Sequence, residues 1–375
     1  MRRISLLFLI IKLLISCSQC KVCPCKDASL CQPVEEVPEK EVLGFMIRSE
    51  NWPYYNWTEL TTIAIFTDLN ESMLNDLVCH AHAHKVRVVS HIGSEILKLS
   101  SKASRESYVT NLLDTVQSQH LDGINIDAED PVASGSEEEL TLNAVTEEIY
   151  TRFKAASSSY QISLDVAWSP SCIDGRCYDY LELSKWTDFL VIMAYDERSQ
   201  VFDPGLCLAG ANSDFVKTKQ GVDLYNKVGI PNNKLVLGLP WYGYDYPCKK
   251  IIDEKSPCVI PNYTFRGVNC SDGAGRQYGY SGIMHDFYPL SPTGLLYNKT
   301  AESPFFTYRL ENGDYHQVWF DNPQSLTVKY SYAAEKKLRG IAFWNTDTLD
   351  YNSNTNSSKE QVTMMWDAVQ AFLNN

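Results

Sequence analysis

Hydrophobic and polar positions fall into two kinds of block along this chain. Short, nearly continuous apolar runs recur at Glu41 to Met46, Thr61 to Phe66, Val86 to His91, Leu121 to Asp130, Ile162 to Trp168, Phe189 to Tyr195, Leu235 to Pro240 and Gly340 to Trp344. Between them lie stretches whose apolar residues are spaced for one helix face. These are Glu71 to Lys85, Ser107 to His120, Glu137 to Ala156, Phe215 to Val228 and a closing helix from Glu360 to Leu373. Apolar runs of this length suit strands buried on both faces, as in a parallel sheet covered by helices. Eight of them is the number that closes on itself, so the pattern predicts an α/β fold, a (β/α)8 TIM barrel. An open doubly wound sheet would carry a Gly-rich loop after its first strand; Phe45-Met46-Ile47-Arg48-Ser49 offers none.

The rhythm breaks once. Between the seventh and eighth strands, about residues 243–318, the chain is rich in Tyr, Gly, Cys and Pro and shows no helical periodicity. This segment is expected to be an irregular or small α+β insertion on the barrel's C-terminal face.

One apolar run is unlike the rest. In Leu121-Asp122-Gly123-Ile124-Asn125-Ile126-Asp127-Ala128-Glu129-Asp130 a strand puts Ile124, Ile126 and Ala128 on one face, and Asn125, Asp127 and Glu129 on the other. Burying a carboxylate costs several kcal/mol unless it is paired or protonated. The plain alternative is an edge strand with a wet polar face; the sharper one is a row of catalytic groups pointing into a site.

Composition narrows the partners. A formal net charge of −13 over 375 residues argues against nucleic acid and anionic membranes. Met1-Arg2-Arg3 followed by the apolar run Ile4 to Ile15 is a leader, so residues 1–20 are expected to be a signal peptide and 21–375 the mature barrel. The run is too short for a membrane anchor. With Cys17 and Cys20 in the leader, the remaining cysteines form an even set and predict disulfides rather than a metal site. Cys172 and Cys177, enclosing Ile-Asp-Gly-Arg, suit a short disulfide loop. Sequons at Asn56, Asn70, Asn262, Asn269, Asn298 and Asn356 agree with a secretory route. His80, His82 and His84 do not share a helix face and predict no metal site. Neither a metal nor an organic cofactor is expected, and the chain is read as a monomer.

In such barrels the C-terminal strand ends carry function. Strand four ends in Asp127 and Glu129, strand six in Met193-Ala194-Tyr195-Asp196, strand seven in Pro240-Trp241-Tyr242 and strand eight in Trp344-Asn345. Carboxyls, phenols and indoles gathered on one face suit a sugar site. Two carboxyls two residues apart on one strand cannot easily straddle a sugar ring as acid and nucleophile. Glu129, nearer the mouth, is then the general acid, and a 2-acetamido oxygen of the substrate serves as nucleophile. Asp127 orients the acetamido N–H, and the Tyr195 hydroxyl fixes its oxygen. Crowding of the two carboxyls tends to hold a proton on one of them.

Asp122-Gly123-Ile124-Asn125-Ile126-Asp127-Ala128-Glu129 resembles the fourth-strand signature of glycoside hydrolase family 18, the chitinase family. Met193-Ala194-Tyr195-Asp196, Gly238-Leu239-Pro240-Trp241-Tyr242-Gly243 and Trp344 are similar to that family's sixth, seventh and eighth strands, in the same order. The resemblance implies a retaining hydrolase with Glu129, Asp127 and Tyr195 catalytic, and with Asp196, Trp344, Tyr242, Met193 and Asn125 binding substrate. The implied substrates are GlcNAc-containing oligosaccharides: the GlcNAcβ1-4GlcNAc core of free N-glycans and short chitin oligomers, attacked from the reducing end. It also implies residence in the lysosome, although secretion explains the leader, disulfides and sequons equally well. Asn125 stands where most members have Asp, which predicts a more readily ionised Asp127. A chitinase-like lectin typically lacks the acid, whereas Glu129, Asp127 and Tyr195 are all present; an endo-acting chitinase is the other enzymatic alternative.

Overall fold

The computed structural model describes residues 22–199 and 206–375; the expected signal peptide lies outside the described residues. Eight parallel strands close a barrel: β1 (Glu41–Met46), β2 (Thr62–Ile65), β3 (Arg87–Ile92), β4 (Gly123–Ile126), β5 (Gln161–Ala167), β6 (Phe189–Met193), β7 (Leu235–Pro240) and, after an insertion, β13 (Gly340–Trp344). Closure comes from β1 pairing with β13, Glu41 opposite Gly340. The TIM barrel expected from the apolar runs is therefore the observed architecture.

Strand alternation divides the apolar residues into two cores. Leu43, Phe45, Ala64, Val89, Val191, Val236 and Ala342 point inward and pack together along the barrel axis. Val42, Ile63, Val88, Ile124, Ile126, Leu164, Ile192, Leu237 and Phe343 point outward beneath the helices. Those helices are α1 (Glu71–Ala83), α2 (Lys102–Ser118), α3 (Glu137–Ala156), α4 (Tyr180–Lys185) and α5 (Phe215–Lys227). Helix α3 has the bounds its spacing predicts. Its N-cap Ser136 accepts from the Glu139 N–H, and Glu137, Glu138 and Glu139 sit at the positive end of its dipole.

The insertion is a five-stranded antiparallel sheet of β8 (Tyr242–Pro247), β9 (Arg276–Gly279), β10 (Leu296–Asn298), β11 (Ser303–Arg309) and β12 (Tyr315–Trp319), with the single turn α6 (Tyr280–Gly282). Its order is β10-β11-β12-β8-β9. Strand β8 follows β7 almost without a break, which hands the sheet's tyrosines directly to the barrel mouth. Helix α7 (Pro323–Glu335) leads back to β13, and α8 (Asn356–Asp367) and α9 (Gln370–Leu373) end the chain. The single closing helix expected over 360–373 is thus two helices, one beginning at Asn356.

All five disulfides among the described residues pair cysteines of the even set: Cys23–Cys31, Cys25–Cys79, Cys172–Cys177, Cys207–Cys270 and Cys248–Cys258. Cys23, Cys25 and Cys31 lie close enough together to suggest a metal cluster, but their sulfurs are consumed by these bonds. Among the described residues no helix is long and apolar enough to cross a membrane.

Candidate active site

Strand β4 is shorter than its polar face suggests. Pairing ends at Ile126, and Asp127 to Asp130 continue as loop. Two contacts keep this continuation straight. The Asp127 N–H donates to the Ile92 carbonyl at 2.8 Å, and Ser94 Oγ accepts from the Glu129 N–H at 3.0 Å and the Asp130 N–H at 3.2 Å. The alternation predicted for a strand therefore persists: Ile124, Ile126 and Ala128 are buried in the outer core, while Asn125 and Asp127 face the barrel interior. Gly123 makes the approach to β5 possible. Its φ is +141°, and a Cβ there would stand 1.9 Å from the Gln161 carbonyl oxygen.

The opposite end of the motif does different work. Asp122 is fully buried. It accepts from the Val34 N–H (2.8 Å), the Val88 N–H (2.7 Å) and His82 Nε2 (2.8 Å). The histidine's other ring nitrogen contacts the Leu30 carbonyl at 2.6 Å. His82 is thus a clasp between α1, β4 and the N-terminal segment.

At the barrel mouth a cavity of about 520 Å³ is lined by Asp127, Glu129, Met193, Tyr195, Asp196, Tyr242 and Trp344, together with Asp165, Trp168, Asp174, Arg176, Arg266 and Asp272. Every expected site residue except Asn125 is in the first group. Trp344 forms the floor, its ring tilted on Phe45 at 5.2 Å and edge-on to Phe66 at 5.3 Å. Asp196 sits at a left-handed φ of +48°. Its carboxylate accepts from the Tyr242 hydroxyl (2.5 Å) and the Tyr244 hydroxyl (2.8 Å), which come from the insertion sheet.

Asn125 is a correction. It is fully buried and is not among the residues that line the cavity. Strand register places it opposite Ser163, and its Nδ2 donates to Ser163 Oγ and to Asp165 Oδ1, both at 3.0 Å. The amide adds no charge of its own beside Asp127, yet that carboxyl is still held above the usual carboxylate range. Burial above all, and then the charge of Glu129, push the Asp127 carboxyl up to about 7, against the smaller opposing pull of Arg176. Asp165, one strand over, supplies the crowding carboxyl that Asn125 lacks. Burial first, and Asp127 second, push it well above the usual carboxylate range. One oxygen of Asp127 (Oδ1) is buried without a partner, which suits a group waiting for a ligand donor.

Glu129 is half-exposed at the rim, its side chain paired with Arg176 Nη1 at 2.7 Å. Arg176 is itself nearly enclosed and reaches Asp174 at 3.3 Å on its other side. Both come from the Cys172–Cys177 loop. That pairing was not visible in the sequence, where the cysteine spacing announces a loop but not its direction. The fold thus gathers Glu129, Asp127, Trp344 and Tyr195 in one cavity.

Residues 43–348 match the glycosyl hydrolases family 18. The chain belongs to that family. It is a glycoside hydrolase. Among curated relatives it is 41% identical to the probable di-N-acetylchitobiase 2 of Dictyostelium discoideum, over 93% of this chain and 90% of that one. It is 38% identical to the di-N-acetylchitobiases of Mus musculus and Homo sapiens, over 94% of this chain and 93% and 89% of theirs. Among solved structures, a plant class V chitinase mutant from Cycas revoluta in complex with (GlcNAc)3 superposes with a TM-score of 0.69 at 18% identity, covering 88% of this chain and 99% of that one. The C-terminal domain of a chitinase-like protein from Desulfitobacterium hafniense superposes with a TM-score of 0.67 at 20% identity, over 88% and 100%. At such identities these two likenesses speak to the family 18 barrel alone.

Proposed function

We propose that this hydrolase is a di-N-acetylchitobiase, splitting the GlcNAcβ1-4GlcNAc core of free N-glycan oligosaccharides and short chitin oligomers. The carrying observation is the Asp127–Glu129 pair just beyond β4, lining one cavity with Trp344 and Tyr195. A GlcNAc ring stacked on Trp344 brings its 2-acetamido group down between Asp127 and Tyr195. Glu129, at the rim, faces the glycosidic oxygen. It donates its proton there as the C1–O bond breaks, and the acetamido carbonyl oxygen bonds to C1 from below. Asp127 takes the acetamido N–H and balances the positive ring; the Tyr195 hydroxyl donates to the carbonyl oxygen. Water then attacks C1 from above, gives its proton to Glu129 and displaces the acetamido oxygen, so the anomeric configuration is retained. Asp196, Tyr242 and Met193 complete the walls. No metal or organic cofactor takes part.

Two features support attack from the reducing end. A further depression of about 690 Å³ shares Tyr242, Gln277 and Trp344 with the first cavity, giving room for more sugars. On the leaving-group side Arg266 reaches from the insertion to the Asp174 carbonyl on the disulfide loop. That strap supports a short site for a single reducing-end GlcNAc. Curated relatives at 38–41% identity bearing the chitobiase name support the same reading. We place the enzyme, as a monomer, in the lysosome.

Two measurements test this. Reducing-end-labelled chitotriose should release labelled monosaccharide first, whereas labelled disaccharide would overturn the direction. A chitobioside analogue without the 2-acetamido group should not be cleaved; efficient cleavage would mean that a protein carboxylate is the nucleophile.

A further inference from the structure

The Cys172–Cys177 loop is joined to the segment that carries Glu129 at several points. The Val132 N–H donates to the Gly175 carbonyl, and the Cys177 N–H donates to the Val132 carbonyl, both at 3.0 Å. The Tyr178 hydroxyl reaches the Ala128 carbonyl at 3.0 Å and the Asp130 carbonyl at 2.6 Å, one on each side of Glu129. Inside the loop, Asp174 and Gly175 take left-handed φ values of +55° and +77°, a tight turn that brings Arg176 back over the cavity. Ser199 Oγ then donates to Asp174 Oδ1 at 2.9 Å. The guanidinium that emerges is 6% exposed and sits between Asp174 and Glu129. A buried cation held by this much structure has a restricted choice of positions.

The surroundings of Glu129 make that cation important. Facing it are the carboxyls of Asp127 on its own segment, Asp165 on β5 and Asp196 beyond β6. The phenols of Tyr178 and Tyr195 face it as well. The carboxyls, when ionised, disfavour a second negative charge nearby. Arg176 favours it, by a bond at 2.7 Å that gains the full attraction of opposite charges only while Glu129 is a carboxylate.

We propose that Arg176 is a positioning residue that receives Glu129 in its carboxylate form and thereby sustains the second half of the reaction. The inference rests on the reading of Glu129 as acid and base. In the first half the Glu129 proton passes to the leaving oxygen, C1–O breaks and C1 bonds to the acetamido oxygen. The newly formed carboxylate swings to Arg176, which holds it ready at the rim. In the second half water forms its bond to C1, the acetamido C1–O bond breaks, and the water proton returns to Glu129, releasing it from Arg176. Because the 2.7 Å contact is strongest with the carboxylate, removing Arg176 takes away a partner of that form alone.

The test compares wild type, Arg176→Gln, Arg176→Lys and Glu129→Gln, each checked for folding by thermal melting. Two substrates are used: a fluorogenic chitobioside, which needs the acid, and the preformed oxazoline of chitobiose, which enters at the intermediate and needs only the base. In Arg176→Gln the alkaline limb of kcat/KM on the chitobioside should move up by about one pH unit, the low end for loss of an adjacent opposite charge. Oxazoline hydrolysis should fall about tenfold in the same variant, by the loss of that one unit's worth of charge stabilisation. Arg176→Lys should restore most of both. An unmoved limb in a folded Arg176→Gln overturns the proposal, since a merely structural role lowers the rate at every pH alike. If Glu129→Gln still cleaves the chitobioside at the wild-type rate, the reading of Glu129 fails instead. A dead Glu129→Gln beside an unmoved Arg176→Gln limb rejects only the role of Arg176.

Discussion

Asp122 and Asp127 lie five positions apart in one motif, both enclosed by the same barrel, and they are treated in opposite ways. Asp122, at the N-terminal end of β4, meets three donors within 2.8 Å. Asp127, at the other end, keeps one oxygen buried without a partner and shares its space with Asp165 and Glu129. A satisfied carboxylate rigidifies the fold; an unsatisfied one raises the energy of the empty site and is completed by substrate. The motif is thus half scaffold and half chemistry, and the change occurs where β4 pairing stops.

The largest expected effect lies at the chemical end. Glu129→Gln removes the proton that the leaving oxygen needs, so turnover of a chitobioside should fall about 10³-fold. Binding, followed by Trp fluorescence, should change little. A variant retaining a tenth of wild-type turnover would take the acid role away from Glu129.

The scaffold end should respond in stability and not in chemistry. Asp122→Ala strands two backbone N–H groups and the His82 ring, which is expected to cost about 3 kcal/mol in denaturant unfolding. The folded fraction should keep wild-type kcat. Loss of kcat without loss of stability would erase the distinction between the two ends.

Asp127→Asn sharpens the contrast, because at that position stability should rise. Asp127 holds its proton up to about pH 7 in the fold but only to about 3.9 in the unfolded chain. Between those values the folded state binds more protons, so stability falls as pH rises from about 4 to 7. Burial pushes Glu197 and Asp272 up to about 8, which extends the same trend. Burial lowers the affinity of His82 for a proton, but Asp122 and the Leu30 carbonyl outweigh it and the net shift is upward. Its contribution is therefore also fullest in acid and is lost as pH rises. The protein should melt at a higher temperature at pH 5 than at pH 7.5. At pH 7 Asp127→Asn should be stabilised by on the order of 2 kcal/mol, less than the full shift implies because one oxygen meets the cavity. At pH 4 that gain should vanish. A gain equal at both pH values would mean that ionisation is not its source.

How much of this could be read from the residues divides along the same line. The eight apolar runs define the barrel because burial on both faces leaves a plain signal, and the helical spacing of 137–156 gives α3 its observed ends. Asp127, Glu129, Tyr195, Asp196, Tyr242 and Trp344 were legible because strand ends converge on one mouth. What stayed hidden depends on register and on loop direction. Asn125 looked like a contact residue until the β4–β5 pairing set it against Ser163. Arg176 reaches a partner 47 positions away through a turn with left-handed backbone, which no local pattern encodes. Helix α7 could have been found: Asn322-Pro323-Gln324-Ser325 is a start signal, and Asn322 and Ser325 do form a reciprocal cap.

Asp165 offers the finest test, because its own signal was the one that drew attention to Asp127: an acid on the inward face of a buried strand. Their difference lies in exposure to ligand and in proton affinity. Asp165 is 2% exposed, and burial first, then the neighbouring Asp127 carboxyl, raise it well above the usual carboxylate range and favour its neutral form. A neutral carboxylic acid and a carboxamide have the same shape and both can donate a hydrogen bond. Asp165→Asn should therefore lower kcat only about threefold at pH 5, on the scale of one altered hydrogen bond. Asp127→Asn should cost about a hundredfold at the same pH, because Asp127, unlike Asp165, meets the substrate and must release its proton and take up charge as the positive ring forms beside it. Asp165→Ala, which leaves Asn125 Nδ2 with only Ser163 and opens a void, should fall between them. Equal losses in Asp165→Asn and Asp127→Asn would mean that the two carboxyls share one ionisation as a unit, and that the proton at the base of this site belongs to neither alone.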